Sequence, residues 1–588
     1  MRRAVWLTLA VAVNAILTTV SLAQTNSCIS SNDGFWDEAR IWSLNKPPSI
    51  RQSAILITND ASETVTIDST TAHHFKSTLT ISNLDISAPY GSTDTVYLAD
   101  TGTTALHIID GLVIGIAPGN PSPGGGLLIS SNSTLIVDGV MGGQFQDNGA
   151  VVITGGSLIT TNCSLQVAAE SSTMYGPSGF LSVSNAIVQA RDVALGTASE
   201  FGSSGTVELH GGTMTVSSSL TLGLSEKNGG GIGSLLVADG GELVVTNGST
   251  SITRGSITVE NADFLGGSVS LNGLLGADLI INNGTVNLNG QIDIGTGDQS
   301  VGGVSLNGGL LVVTNDIITM GGDFTGGGNF TVSDGIFLGQ TMFLSLGRLS
   351  IQSGTSILSS NLDVGFGGSV YIGGGQLFVT NAPMTLFSGN SQCIVTGGLL
   401  AANNIVLSSD NYGGGTLSVN GGSVTASTGI TVGNCASNVL GHLFVDGGQA
   451  IVTNAAHTAF IDVRNGQLVL SNGVLQVDKL VMTNSCSSFV HTGGTLIAGS
   501  VVLDSNAFQI TSVAREGNDL RVTWLMAPGS TNALQVSTGG SHGRYVTNNF
   551  KDIFIVTNNT TAGTLTNYLD IGGATNTPSR YYRARLSP

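Results

Sequence analysis

The side chains of this sequence that could do acid–base, nucleophilic or metal chemistry are few and widely spaced. Between residues 64 and 506 the basic residues are Lys76, Arg191, Lys227, Arg254, Arg348, Arg464 and Lys479, and no two lie within ten positions of each other. A basic group facing a groove could abstract a proton, and Arg348 and Arg464 are the candidates for that role. Hydrolysis of a glycosidic bond needs two carboxylates at a set separation instead, and no Asp-Asp pair occurs in the chain. His73 and His74 are adjacent, so on a strand they would point to opposite faces and could not share a metal. His442, His457 and His491 are dispersed, whereas a metal site needs several converging ligands. Gly297-Asp298 and Gly321-Gly322-Asp323 are isolated acidic turns. A calcium-binding roll would repeat its Gly-rich nonapeptide in tandem, so these are expected to be solvated turn aspartates.

The five cysteines, Cys28, Cys163, Cys393, Cys435 and Cys486, form no Cys-x-x-Cys, which argues against both a zinc site and a redox motif. They are expected to be mostly small buried hydrophobes. The sequence therefore gives no catalytic, cofactor-binding or metal residue, and no cofactor is expected. Charge narrows the partners. With 19 Lys and Arg against 37 Asp and Glu, the net charge is −18. Nucleic-acid binding needs clustered basic residues, so none is expected. Met1-Arg2-Arg3, the mostly apolar run Ala4 to Val20 and the small residues of Ser21-Leu22-Ala23 read as a secretory signal cleaved after Ala23. No second apolar run of spanning length follows, so the mature chain is expected to lack a membrane span and to be secreted or held at the cell surface.

The elements that would position any site come from repetition. Gly makes up 84 of 588 residues, about twice the ordinary share of roughly 7%. The clearest unit is Gly240-Gly241-Glu242-Leu243-Val244-Val245-Thr246-Asn247. It recurs as Gly308-Gly309-Leu310-Leu311-Val312-Val313-Thr314-Asn315, as Gly374-Gly375-Gln376-Leu377-Phe378-Val379-Thr380-Asn381 and as Gly447-Gly448-Gln449-Ala450-Ile451-Val452-Thr453-Asn454, at steps of 68, 66 and 73. Weaker Gly-Gly units at 155, 211, 266, 397, 421 and 493 fill the gaps, several of them 23 to 29 residues apart. A period in the twenties with short alternating strands means a solenoid, and each long step is read as three coils. Val207–His210, Met214–Val216 and Leu220–Leu222 read as three strands of about one coil. Roughly 18 coils at about 4.8 Å each would give a rod of about 90 Å. The Asn of each Val-Thr-Asn could stack into a side-chain ladder along it.

Both ends differ from the middle. Residues 24–63 hold Trp36, Trp42 and Pro47-Pro48, which suits either a cap over the open edge or an ordinary first coil. From residue 507 the Gly pairs thin out, and Arg515, Arg521, Arg544, Lys551, Arg580, Arg583 and Arg585 supply seven of the 19 basic residues. Leu520–Trp524 and Tyr581–Leu586 read as strands of a small β-sandwich.

The Gly-Gly coils, the opening stretch with Trp36, Trp42, Pro48, Ala54-Ile55 and Val65-Thr66-Ile67-Asp68, and the tail with Trp524, Asn567-Tyr568-Leu569-Asp570 and Arg580-Tyr581-Tyr582-Arg583 together resemble exported bacterial β-helix proteins of the autotransporter-associated repeat type. The tail looks like a fibronectin type III-like domain. The chain is thus expected to be all-β: a signal (1–23), an N-terminal cap (24–63), a long parallel β-helix (64–506) and a C-terminal β-sandwich-like domain (507–588). The expected function is that of an exported structural or adhesive rod, without catalysis, meeting polysaccharide or cell-surface components. The alternative is a polysaccharide lyase or hydrolase on a pectin-lyase-like β-helix. Gly441-His442 faintly resembles a hydrolase Gly-His, but no matching Arg and Lys motif follows it.

Overall fold

The structure, a computed structural model, describes residues 24–588 apart from 90, 116–123, 140–142, 146–148, 170–177, 200–201, 225–229, 323–325, 389, 409–413, 435–439, 484–485, 504–509, 527–530, 540–548, 560–563, 576–578 and 588. The expected signal lies outside the described residues, as do Lys227, Asp323, Cys435 and Arg544.

Alternation of apolar and polar residues builds short strands, and parallel stacking buries their apolar side. Each coil carries three strands. One coil consists of Ile232–Ala238, Glu242–Val245 and Thr250–Ile252, and the next of Gly255–Glu260, Asp263–Gly266 and Val269–Leu271. Strands of successive coils pair in parallel and in register: Leu235 with Ile257 and then Leu279 on the first face, Leu243 with Phe264 and then Val286 on the second, and Ile252 with Leu271 and then Ile294 on the third. All of these side chains are buried. The result is a parallel β-solenoid of about 17 turns, close to the number the repeat spacing predicts and long enough for a rod of about 80 Å. The 68-residue step is three coils, because Leu243, Phe264, Val286 and Leu311 are consecutive partners.

Gly-Gly pairs mark the corner between the first and second faces. There, each coil's backbone rests on the backbone below. At Gly398, with φ +64°, a Cβ would stand 2.0 Å from the Gly375 carbonyl oxygen, and at Gly309, with φ +80°, 2.1 Å from that of Gly284. Only glycine tolerates both the conformation and the approach. Gly266-Gly267 is the exception among the pairs, since Val269 starts a strand of the third face. The expected Asn ladder does not form. The four Asn copies stand three coils apart, and Asn381 and Asn454 instead donate to the carbonyls of Ser359 (2.8 Å) and Ser427 (3.0 Å) in the coil beneath.

The parallel ladder begins before residue 64. Thr25–Ser27 pairs with Ala54–Ile57, and Gly34–Phe35 pairs with Thr64–Asp68. Trp36 and Trp42 are fully buried within this first coil, edge to face at 5.3 Å. Their indole N–H groups donate to the carbonyls of Thr78 (3.0 Å) and Trp36 (2.9 Å). Polar tips satisfied in this way let large aromatics sit inside. His73 and His74 lie in a helical turn, Ser69–His74, not on a strand, because the Asp68 carboxylate accepts from the Thr71 N–H at 2.8 Å and caps it.

At the other end, pairing turns antiparallel. Asp519–Met526 lies between Ile510–Glu516 and Thr564–Asp570, and Thr531–Thr538 lies between Lys551–Thr557 and Arg580–Ser587. Val522, Trp524 and Met526 from one sheet share a small core with Leu534 from the other. Leu525 faces the opposite way and belongs to the solenoid core. No helix among the described residues is long and apolar enough to cross a membrane.

Candidate ligand-binding face

The solenoid does not gather the chemically able residues singled out in the sequence. Arg348 begins a strand of the first face with its guanidinium 5.7 Å from the Tyr371 ring centroid. Arg464 pairs with Asp462 at 2.8 Å, in a turn of a later coil. Arg191 pairs with Asp192 at 2.7 Å, and Arg254 donates to the Gly230 carbonyl. His442 stacks on Phe444, and its coil neighbours on that face are Thr416 and Gln467. Burial lowers its pKa, and no basic residue or carboxylate is its register partner. Other histidines meet a carboxylate one coil away. His107 Nε2 lies 2.6 Å from Asp138 and His210 Nδ1 2.8 Å from Asp239. The His107 hydrogen bond is the main cause that lowers the Asp138 pKa. No group of three or more His, Cys, Asp or Glu that could hold a metal occurs among the described residues.

Cys28, Cys163 and Cys393 are buried free thiols, as small hydrophobes should be, while Cys486 is exposed. Burial pushes Cys393 up to about 12. Cys28 is pushed to about 12 too, by burial first and then by its hydrogen bond to Glu63. Glu63 and Asp94 form an unusual pair. Each precedes a paired strand residue, Thr64 and Thr95 respectively, so they stack in adjacent coils. Both are buried, and Asn59 bridges them, its backbone N–H to Asp94 Oδ2 and its side-chain amide to Glu63 Oε1, both at 2.8 Å. Beyond the Cys28 contact, Glu63 Oε2 and Asp94 Oδ1 accept no hydrogen bond among the described residues. Desolvation pushes Asp94 up to about 7 and raises Glu63 as well.

A groove on the second face is a site that sequence reasoning missed. In the four strong repeats three apolar residues run together, and a period of two requires the middle one to point outward. Those residues are Val244, Val312, Phe378 and Ile451. The coils between them continue the column on the second face. Val312, Leu338, Ile357, Phe378, Ala401, Thr425 and Ile451 are consecutive register partners, each half-buried on the outer surface. Beside it Ile336 is 46% exposed. On the third face the corresponding outward column reads Thr221, Ser251, Ser270, Asp293, Thr319, Phe343, Asp363, Thr385 and Val406, mostly polar, with Phe343 and Val406 its apolar members. A solvated face needs only polar residues there. The second face therefore carries an apolar track that the fold does not require.

At Ala401 and Thr425 the track dips. These small side chains, between Phe378 and Ile451, floor a groove of about 590 Å³ whose rim includes Thr380, Asn403, Ser427 and Thr453. Asn403 Oδ1 accepts from the hydroxyls of Ser427 (3.0 Å) and Thr428 (2.6 Å), which fixes the amide and leaves its N–H₂ free. The Thr425 and Thr453 hydroxyls have no hydrogen-bond partner among the described residues. A second groove, of about 280 Å³, occupies the same corner at Val244, Leu265 and Asn287. No ionisable side chain lines either one.

No protein-family model matches the chain, and no curated protein matches it in sequence. The likeness to exported β-helix proteins rests on the coils and residues themselves.

Proposed function

We propose that this chain is an exported structural and adhesive rod, secreted or held at the cell surface, that binds glycans or surface components along its side and performs no catalysis. The observation that carries this reading is the outward apolar track of the second face, with its groove rimmed by hydroxyl and amide groups. An apolar floor with a few convergent polar groups is the usual make-up of a ligand site. Repetition along a rod turns weak contacts into avidity. The basic residues that a lyase would need stand in different coils, with Arg348 against an aromatic ring and Arg464 against a carboxylate. We read the two antiparallel sheets of the tail as a fibronectin type III-like β-sandwich that closes the end of the rod.

The test is co-sedimentation of the mature protein with a polysaccharide panel, with glycan chain length followed in the same tubes. Binding with chain length unchanged is expected. Shortened chains would replace this reading with that of a polysaccharide lyase or hydrolase, and absence of binding to any glycan or cell surface would remove adhesion.

A further inference from the structure

Building on the adhesive reading, we propose that the groove over Phe378, Ala401, Thr425 and Ile451 takes a neutral, flat, β-linked polysaccharide laid along the rod axis, and rejects acidic polysaccharides. Three observations point to that class. First, the floor is apolar and one wall is an aromatic ring, which suits the C–H face of a pyranose whose hydroxyls are all equatorial. Sugars with axial hydroxyls would press polar groups onto that floor and leave them unsatisfied.

Second, the groove follows the stacking direction. Ala401 and Thr425 are register partners in successive coils, so the trough is about 10 Å long at about 4.8 Å per coil. One coil thus advances by nearly the length of one ring in an extended β-linked chain, and each coil can meet one ring. The rim donors, Asn403 N–H₂ and the Thr453 hydroxyl, lie at the edges where equatorial hydroxyls would emerge, and the Thr425 hydroxyl is the one polar group of the floor.

Third, the electrostatics are selective. The lining holds no basic residue to pair with a uronate, and the chain as a whole carries −18, which repels polyanions. The Val244, Leu265 and Asn287 groove lacks the aromatic wall but is likewise apolar, amide-rimmed and free of charge, and it faces the same way, so a long chain could engage both.

The experiment is titration calorimetry of the full mature protein with cellohexaose, chitohexaose and hexagalacturonate, repeated for Phe378→Ala and Ala401→Trp. Both substitutions point outward, and a thermal melt checks each; if Phe378→Ala melts early, Phe378→Leu removes the ring and keeps the volume. The expected result is binding of a neutral hexamer, no binding of hexagalacturonate, and about tenfold or greater weakening in both variants. Hexagalacturonate binding as tightly as the neutral sugars overturns the proposal. Neutral-sugar binding unchanged in both variants also overturns it, but leaves adhesion standing at another site. No binding of any polysaccharide removes the adhesive reading itself. Self-association abolished by Phe378→Ala, with no sugar bound, would make a second copy of the chain the occupant.

Discussion

Gly398→Ala should damage the rod through two separable effects, backbone conformation and a backbone clash. The Gly398 φ of +64° lies in the left-handed region, which costs an ordinary residue about 1–2 kcal/mol. Its new Cβ would also fall 2.0 Å from the Gly375 carbonyl oxygen and 2.8 Å from the Gly374 carbonyl carbon. Both are backbone atoms of the coil below, held by that coil's own ladder. Forcing them apart is overpacking, worth about 1–3 kcal/mol. The smaller entropy of the unfolded alanine chain returns about 0.4–1 kcal/mol, so the net loss is about 1–4.5 kcal/mol, centred on about 3 kcal/mol. Two other glycines separate the terms. Gly240 has φ +77° with nothing within 4 Å of its Cβ position, and Gly327 has neither a positive φ nor a neighbour. Gly240→Ala should cost about 1 kcal/mol and Gly327→Ala less than about 0.5 kcal/mol. Urea unfolding ranks the three, and hydrogen exchange over residues 370–430 localises the loss, because coils interact only with their neighbours. If Gly398→Ala were no worse than Gly240→Ala, the carbonyl contact would carry no energy and the account of the Gly-Gly corner would fail.

Asp94 makes the first coils pH-sensitive. Its carboxyl goes from 3.8 to about 7 on folding, so the folded state binds the proton more tightly, and the stability it contributes at low pH is lost as pH rises through 7. Corrected for the intrinsic pH dependence of exchange, protection in residues 25–100 should fall between about pH 4 and 7 and level off above, and Asp94→Asn should blunt that fall; an unchanged profile would refute the assignment. Phe337 is fully buried against Phe330, edge to face at 4.8 Å, so Phe337→Ala should cost about 3–5 kcal/mol in urea unfolding. In a Cys435→Ser background, a maleimide should label Cys486 alone without denaturant, because the other three thiols are buried; rapid labelling of Cys393 would show an open core.

Much of the fold was legible because coil geometry is written in local signals. Alternation at Val207–His210 and Met214–Val216 identified strands that the structure joins into Ser204–Val216, and the steps of 68, 66 and 73 did count three coils. What escaped was whatever depends on the neighbour one coil away. The partners of His107, Arg191 and Glu63 lie 31, 29 and 31 residues off or in the next turn, at spacings that vary, so no fixed offset reveals them. His73-His74 leave the strand pattern because Asp68 caps a short helical turn between two strands, a local signal within a β-rich stretch. The binding track did leave a trace. Leu-Val-Val, Leu-Phe-Val and Ala-Ile-Val break the alternation, yet an apolar run bounded by turns is also what a strand buried on both sides looks like. Only the register shows which residue faces out.

The two kinds of corner differ in the length of chain they hold. Where the first face turns into the second, three residues separate Ile351 from Thr355, Ile372 from Gln376, Val395 from Leu399, Val419 from Ser423, Val445 from Gln449 and Leu470 from Val474. Where the third face returns to the first, two residues separate Ile252 from Gly255 but eight separate Val432 from Gly441. In these later coils the first corner keeps one length and the third-to-first corner does not, whereas nearer the N-terminus the first corner is longer too, with eleven residues between Asp68 and Thr80 and six between Ala99 and Leu106. A foreign epitope or small domain grafted between Val432 and Gly441 would therefore be displayed from the flank of an unbroken rod, and a series of such grafts would project at heights set by coil number alone.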